Sequence, residues 1–97
     1  MQVKIPHQFS QAQAKERVMR ALNEARVKIA GQATIEKEEW VDNTLHFAFT
    51  AQGQSILGTF DVHDKEFELN AKLPLMLRMF EGKIKAAIEE QAGTMLK

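Results

Sequence analysis

Residues 66–97 read EFELNAKLPLMLRMFEGKIKAAIEEQAGTMLK, and their pattern decides the fold. Phe67, Leu69, Ala71 and Leu73 alternate with Glu66, Glu68, Asn70 and Lys72, the period of a half-buried strand. At Pro74 the period changes without a loop to that of a helix, with Leu77, Phe80, Ile84, Ala87, Ile88 and Met95 on one stripe. A strand running straight into a long amphipathic helix implies an antiparallel sheet that grips a helix.

Upstream, the same logic gives the rest of the order. Val3 and Ile5 alternate with Gln2 and Lys4 in a first strand that Pro6 ends, because proline has no N–H for a ladder. Ser10 and Gln13 have the spacing of a capping box, and Phe9 is placed to staple onto Ala14. The helix they open puts Ala14, Val18, Ala21, Leu22, Ala25 and Ile29 on one face, and Gly31 suits its C-terminal cap. Residues 33–41 form a charged strand anchored by Ile35 and Trp40, whose polarity suits a sheet edge. Asp42-Asn43, Gln52-Gly53-Gln54 and His63-Asp64-Lys65 are turns about ten residues apart, which makes a four-stranded meander. The expected architecture is α+β in two layers, an antiparallel sheet packed on two helices in the order β-α-β-β-β-β-α. Its core face carries Leu45, Phe47, Phe49, Ile56, Phe60, Val62, Phe67, Leu69 and Leu73.

Composition narrows the function classes. The 97 residues suffice for one domain spanning 1–97 with a single core. Thirteen basic residues balance thirteen acidic ones, and the basic cluster Lys15, Arg17, Arg20, Arg26 and Lys28 is interrupted by Glu16 and Glu24. That is a solvated helix face, so a nucleic-acid partner is not expected. There is no cysteine, hence no disulfide, thiolate metal site or thiol nucleophile. No stretch has the roughly 20 apolar residues of a membrane span, and the first residues lack the apolar run of a signal peptide, so a cytoplasmic protein is expected.

No reaction chemistry stands out. His7, His46 and His63 have no ligand spacing for zinc and read as surface histidines. Asp61 and His63 share a strand face, but no G-x-S-x-G elbow or placed nucleophile accompanies them. Glu36, Glu38 and Glu39 belong to an exposed edge without the apolar pocket that acid–base carboxylates need. No phosphate loop surrounds Gly53 or Gly58. Gly58 lies on the inward phase, where a missing side chain lets a helix approach, permits a bulge, or leaves a small ligand cavity. No catalytic, cofactor or metal residue is therefore assigned, no cofactor is expected, and the protein is read as not an enzyme. The unexplained residues are Leu75, Met76 and Met79, apolar positions beyond the Leu77–Phe80–Ile84 stripe. They either complete the core or form an apolar patch that contacts a partner, a second subunit or a lipid-like surface.

The spacing Gln54-x-Ile56-x-Gly58-x-Phe60-x-Val62, then Phe67-x-Leu69, Leu73-Pro74, Leu77, Phe80, Ile84 and Ile88 resembles the small bacterial polyhydroxyalkanoic acid system proteins. Val3-Lys4-Ile5-Pro6-His7, Ser10 and a helix with Ala12, Ala14 and Arg17 extend the resemblance to the front end. It covers nearly the whole chain. The element order is also similar to a trimmed helix-grip fold, in which the first strand pairs with the last. The resemblance implies a role at, or in control of, polyhydroxyalkanoate granules, and brings no catalytic residues. The expected function is thus a cytoplasmic binding protein whose partner is a hydrophobic granule surface or granule protein. The alternatives are a small carrier of an acyl or aromatic ligand held between sheet and last helix, or a structural homodimer. The weakly apolar second strand and the small size leave little room for a large cavity.

Overall fold

A computed structural model describes the backbone of residues 1–95 and side chains through Gly93. The side chain of Met95, the last member of the expected stripe, lies outside the described residues, as do Leu96 and Lys97. The elements are β1 (Gln2–Pro6), α1 (Gln11–Ile29), β2 (Ala33–Val41), β3 (Thr44–Ala51), β4 (Gln54–Val62), β5 (Glu66–Lys72), α2 (Leu75–Arg78) and α3 (Glu81–Met95). The strands form one antiparallel sheet in the order β1-β5-β4-β3-β2. The first strand pairs with the last, Val3 opposite Leu69 and Ile5 opposite Phe67. This is the two-layer α+β arrangement expected from the periodicities.

Local chemistry sets the ends of α1. The Ser10 hydroxyl accepts the Gln13 N–H at 3.2 Å, and the Gln13 side chain accepts the Ser10 N–H at 3.3 Å, which completes the capping box. At the other end Ile29 accepts the N–H of Gln32 at 2.8 Å, with Ala30 at φ −54°, ψ 128° and Gly31 at φ 87°. That is a type II turn, whose third position requires positive φ. The Gln52-Gly53 hairpin takes φ 52° and 77°, the pair that a type I′ turn demands.

Two elements depart from the regular pattern. In β2 the register shifts between Ile35, opposite Phe49, and Lys37, opposite Ala48, so Glu36 is a bulge. Ile35 and Trp40 are five apart and would face opposite sides of an unbroken strand. The extra residue sets them opposite Phe49 and Leu45, on one face. The last helix, expected to be continuous from Pro74, is divided into α2 and α3. The Phe80 N–H bonds the Leu77 carbonyl at 3.0 Å, a tight turn, before the Phe80 carbonyl accepts Ile84 and starts α3. Each piece has its own tether. Arg78 Nε donates to the Leu73 carbonyl at 3.3 Å, and Glu81 pairs with the Met1 amino group at 3.3 Å. Phe80 falls at the joint and is 52% exposed, so it is not part of the core stripe.

The core is concentrated at one end. Ala14 and Val18 of α1 pack with Val62 and Phe67, bordered by Ile5, Phe9, Phe60, Trp40 and Ala92. Burial then fades along α1: Ala21, Leu22, Ala25 and Ile29 are only half-buried, and Ile84 and Ile88 of α3 likewise. The accessible surface is 6628 Å². A folded monomer of this mass, 11.0 kDa, is expected to show about 5,600 Å², so about 1,000 Å² more is left open than close packing would leave.

Candidate functional site

The three residues singled out after Pro74 face outward. Leu73 is buried and α2 begins one residue beyond Pro74, so the first turn is carried past the end of β5. Leu77 is the half-buried member, while Leu75 is 78%, Met76 68% and Met79 84% exposed. Phe80 joins them at the joint. Gln54 Nε2 reaches the Met76 sulfur at 3.9 Å, the one polar contact that Met76 makes among the described residues. Four adjacent large apolar side chains in water are an uncommon surface for a lone soluble domain.

A second feature lies between the helices and the sheet. α1, α3 and the concave sheet face enclose a cleft of about 590 Å³. Leu22, Ala25 and Ile29 line it from α1, Phe47, Phe49 and Leu69 from the sheet, and Ile84, Ala87 and Ile88 from α3. The sequence leaves open a ligand held between sheet and last helix and gives little room for a large cavity; in the structure the stripes face one another across this gap. An ion pair between Arg26 of α1 and Glu38 of β2 spans one side, and Arg26 also donates to Asn23 at 2.6 Å.

Gly58 does not line this cleft, and the atoms nearest to a side chain there belong to strands. A Cβ there would meet the Asn70 carbonyl oxygen at 2.3 Å, Phe47 Cζ at 2.7 Å and the Ala71 Cα at 3.0 Å. Its missing side chain admits the cross-strand Phe47 ring and the β5 backbone. The hollow beside Gly58 is a different one, open to solvent and of mixed polarity, next to Leu57, Arg78 and Glu81.

The outer sheet face carries a polar network. Asp61 of β4 lies opposite Glu68 of β5, and His63 follows β4. His63 Nε2 and Glu68 Oε1 are 3.0 Å apart. Glu68 Oε2 accepts from Gln2 and Asn70, each at 2.9 Å. Hydrogen bonds from Asn70, Gln2 and His63 hold the Glu68 carboxyl at about 2, below its ordinary 4.5. One atom each of Asp61, His63 and Glu68 lies within 4.8 Å of the others, so the three could hold a cation. Such an ion would have to displace donors that already occupy both Glu68 oxygens. The Thr44 hydroxyl donates to Asp61 directly at 2.6 Å, which is not the hydroxyl–imidazole–carboxylate order of a triad. Sequence reading found Asp61 and His63 but missed Glu68, which comes from the neighbouring strand.

His7 is tied into the fold. Its Nδ1 accepts the Phe9 N–H at 3.1 Å, its Nε2 meets the His63 carbonyl at 2.9 Å, and its ring lies 4.6 Å from that of Phe67. Three cations of α1 are also engaged. Arg17 sits 4.4 Å over the Phe9 ring, Lys15 sits 4.9 Å over Trp40 and donates to Asp42, and Arg20 pairs with Glu16 at 3.8 Å. No helix among the described residues is long and apolar enough to cross a membrane.

Fold and surface together define a small α+β protein in which an antiparallel sheet carries two long helices on one face and an apolar projection beyond the end of β5. The chain belongs to the polyhydroxyalkanoic acid system proteins, whose family model matches residues 1–96. No curated protein and no solved structure matches it.

Proposed function

We propose that this member of the polyhydroxyalkanoic acid system family is a non-enzymatic cytoplasmic binding protein that seats on the apolar surface of storage granules. Leu75, Met76 and Met79, together with Phe80, make the contact. The observation that carries the reading is the exposure of these four neighbours on α2 and the joint that follows it, beyond the end of β5. Methionine suits the task because its unbranched, polarisable side chain adapts to an irregular surface. The Asp61, His63 and Glu68 side chains support the non-enzymatic part, since Asp61 accepts from Thr44 while His63 and Glu68 bond each other.

The test is cosedimentation with polyhydroxyalkanoate particles, comparing wild type with Met76→Glu/Met79→Glu. Each methionine fully buried at the surface contributes about 1.5–3 kcal/mol, so losing both lowers partitioning by about 100-fold or more. Equal partitioning of both proteins sinks the reading.

A further inference from the structure

We infer that the cleft between α1, α3 and the sheet is a binding site for one aliphatic acyl chain, separate from the granule-contact patch. The dimensions favour a chain. Lining residues run from Val18 to Ile29 on α1, a length of about 16 Å at 1.5 Å per residue. The volume of 590 Å³ is in the usual range for small-molecule sites, and the elongated lining suits an extended chain.

The chemistry of the walls agrees. Apart from Arg26, Lys37, Glu38 and Gln91, the lining residues are apolar, and those four are solvent-exposed, so polarity is confined to the mouth. Arg26 stands at this mouth paired with Glu38, which lies opposite Phe47 on the cleft face of the sheet. The Arg26 guanidinium is the group that meets a carboxylate, while Leu22, Phe47 and Ile88 receive the tail. The Arg26–Glu38 pair braces α1 against β2, and the Glu81–Met1 contact holds the start of α3, so the walls are propped apart. A chain lying there removes apolar surface from water that the protein alone leaves open.

Calorimetric titration of the whole protein with decanoate, kept monomeric, tests the inference, with decanol and 1-anilinonaphthalene-8-sulfonate as comparators. Saturable one-to-one binding of decanoate is expected. Ala25→Phe should weaken decanoate and decanol by at least about tenfold, and Ala87→Phe, at an exposed helix position, repeats the block if the first variant fails to fold. Arg26→Gln should weaken decanoate by about fivefold and leave decanol unchanged. Met76→Glu/Met79→Glu should bind decanoate like wild type, so this site and the granule contact stand or fall separately. No saturable decanoate binding, undiminished binding by a folded Ala87→Phe, or preference for the naphthalene probe over decanoate would each overturn the assignment.

Discussion

Gly58→Ala is the sharpest probe of the packing. The new methyl would stand 2.3 Å from the Asn70 carbonyl oxygen and 3.0 Å from the Ala71 Cα, both backbone atoms of β5, and 2.7 Å from Phe47 Cζ. The ring can turn aside, but the backbone contacts close only if β4 and β5 separate or bend. Overpacking of this kind costs about 1–3 kcal/mol, and backbone obstruction puts it at the upper end. Replacing glycine by alanine also restricts the unfolded chain, which offsets about 0.4–1 kcal/mol. The net loss is about 2 kcal/mol, and at 4–8 °C per kcal/mol for a domain of this size Tm falls by about 8–16 °C. Thermal unfolding followed by far-ultraviolet circular dichroism measures it. Adding Phe47→Leu should recover less than half of the loss, because only the ring contact is relieved. A Gly58→Ala protein that melts within about 3 °C of wild type would refute the reasoning.

Three further outcomes are expected. Ser10→Ala removes the α1 cap and lowers stability by about 1 kcal/mol in urea titration. Gln52→Asn, at φ 52° in the hairpin, stabilises by a few tenths of a kcal/mol in the same assay, because asparagine tolerates the left-handed region better. Glu68 has its native pKa depressed from 4.5 to about 2. The unfolded chain therefore takes up the proton first, so the stabilisation is present above pH 4.5 and is lost as pH falls through about 2. Glu68→Gln should flatten the pH dependence of Tm across that window.

The meander, the capping box and the turns were legible because each depends on neighbours in sequence. Ser10 needs only Gln13, and Gly31 and Gly53 need only their own φ. The pairing of β1 with β5 followed from family resemblance rather than from pattern. The bulge at Glu36 was hidden because a single inserted residue looks like any other charge in Glu36-Lys37-Glu38-Glu39. The trio of Asp61, His63 and Glu68 was half visible, since register between strands is not written in either strand alone. The cleft was legible only as an alternative, a ligand space between sheet and last helix. Ala25 and Ile88 make the same helical stripe whether they meet other side chains or a gap, and periodicity reports the face of a residue but not its distance from the opposite wall. The surplus of Leu75, Met76 and Met79 was legible as a surplus. That they face water depends on the division of the last helix, which no glycine or proline at 79–81 announces.

The pairing of β1 with β5 also constrains the order of events during synthesis. Pro6 meets Glu66 across the sheet, so at 5–20 residues per second the first strand waits about 3–12 s for its partner to be made. During that interval α1 exists with its apolar stripe uncovered, while the β2–β3 and β3–β4 hairpins form from adjacent chain as it emerges. Closure then falls to the oldest segment docking on the newest strand, over the longest loop in the molecule. A ribosome pausing before Glu66 would hold the chain in an open, helix-exposed state, and chaperone capture in the cell would be concentrated there.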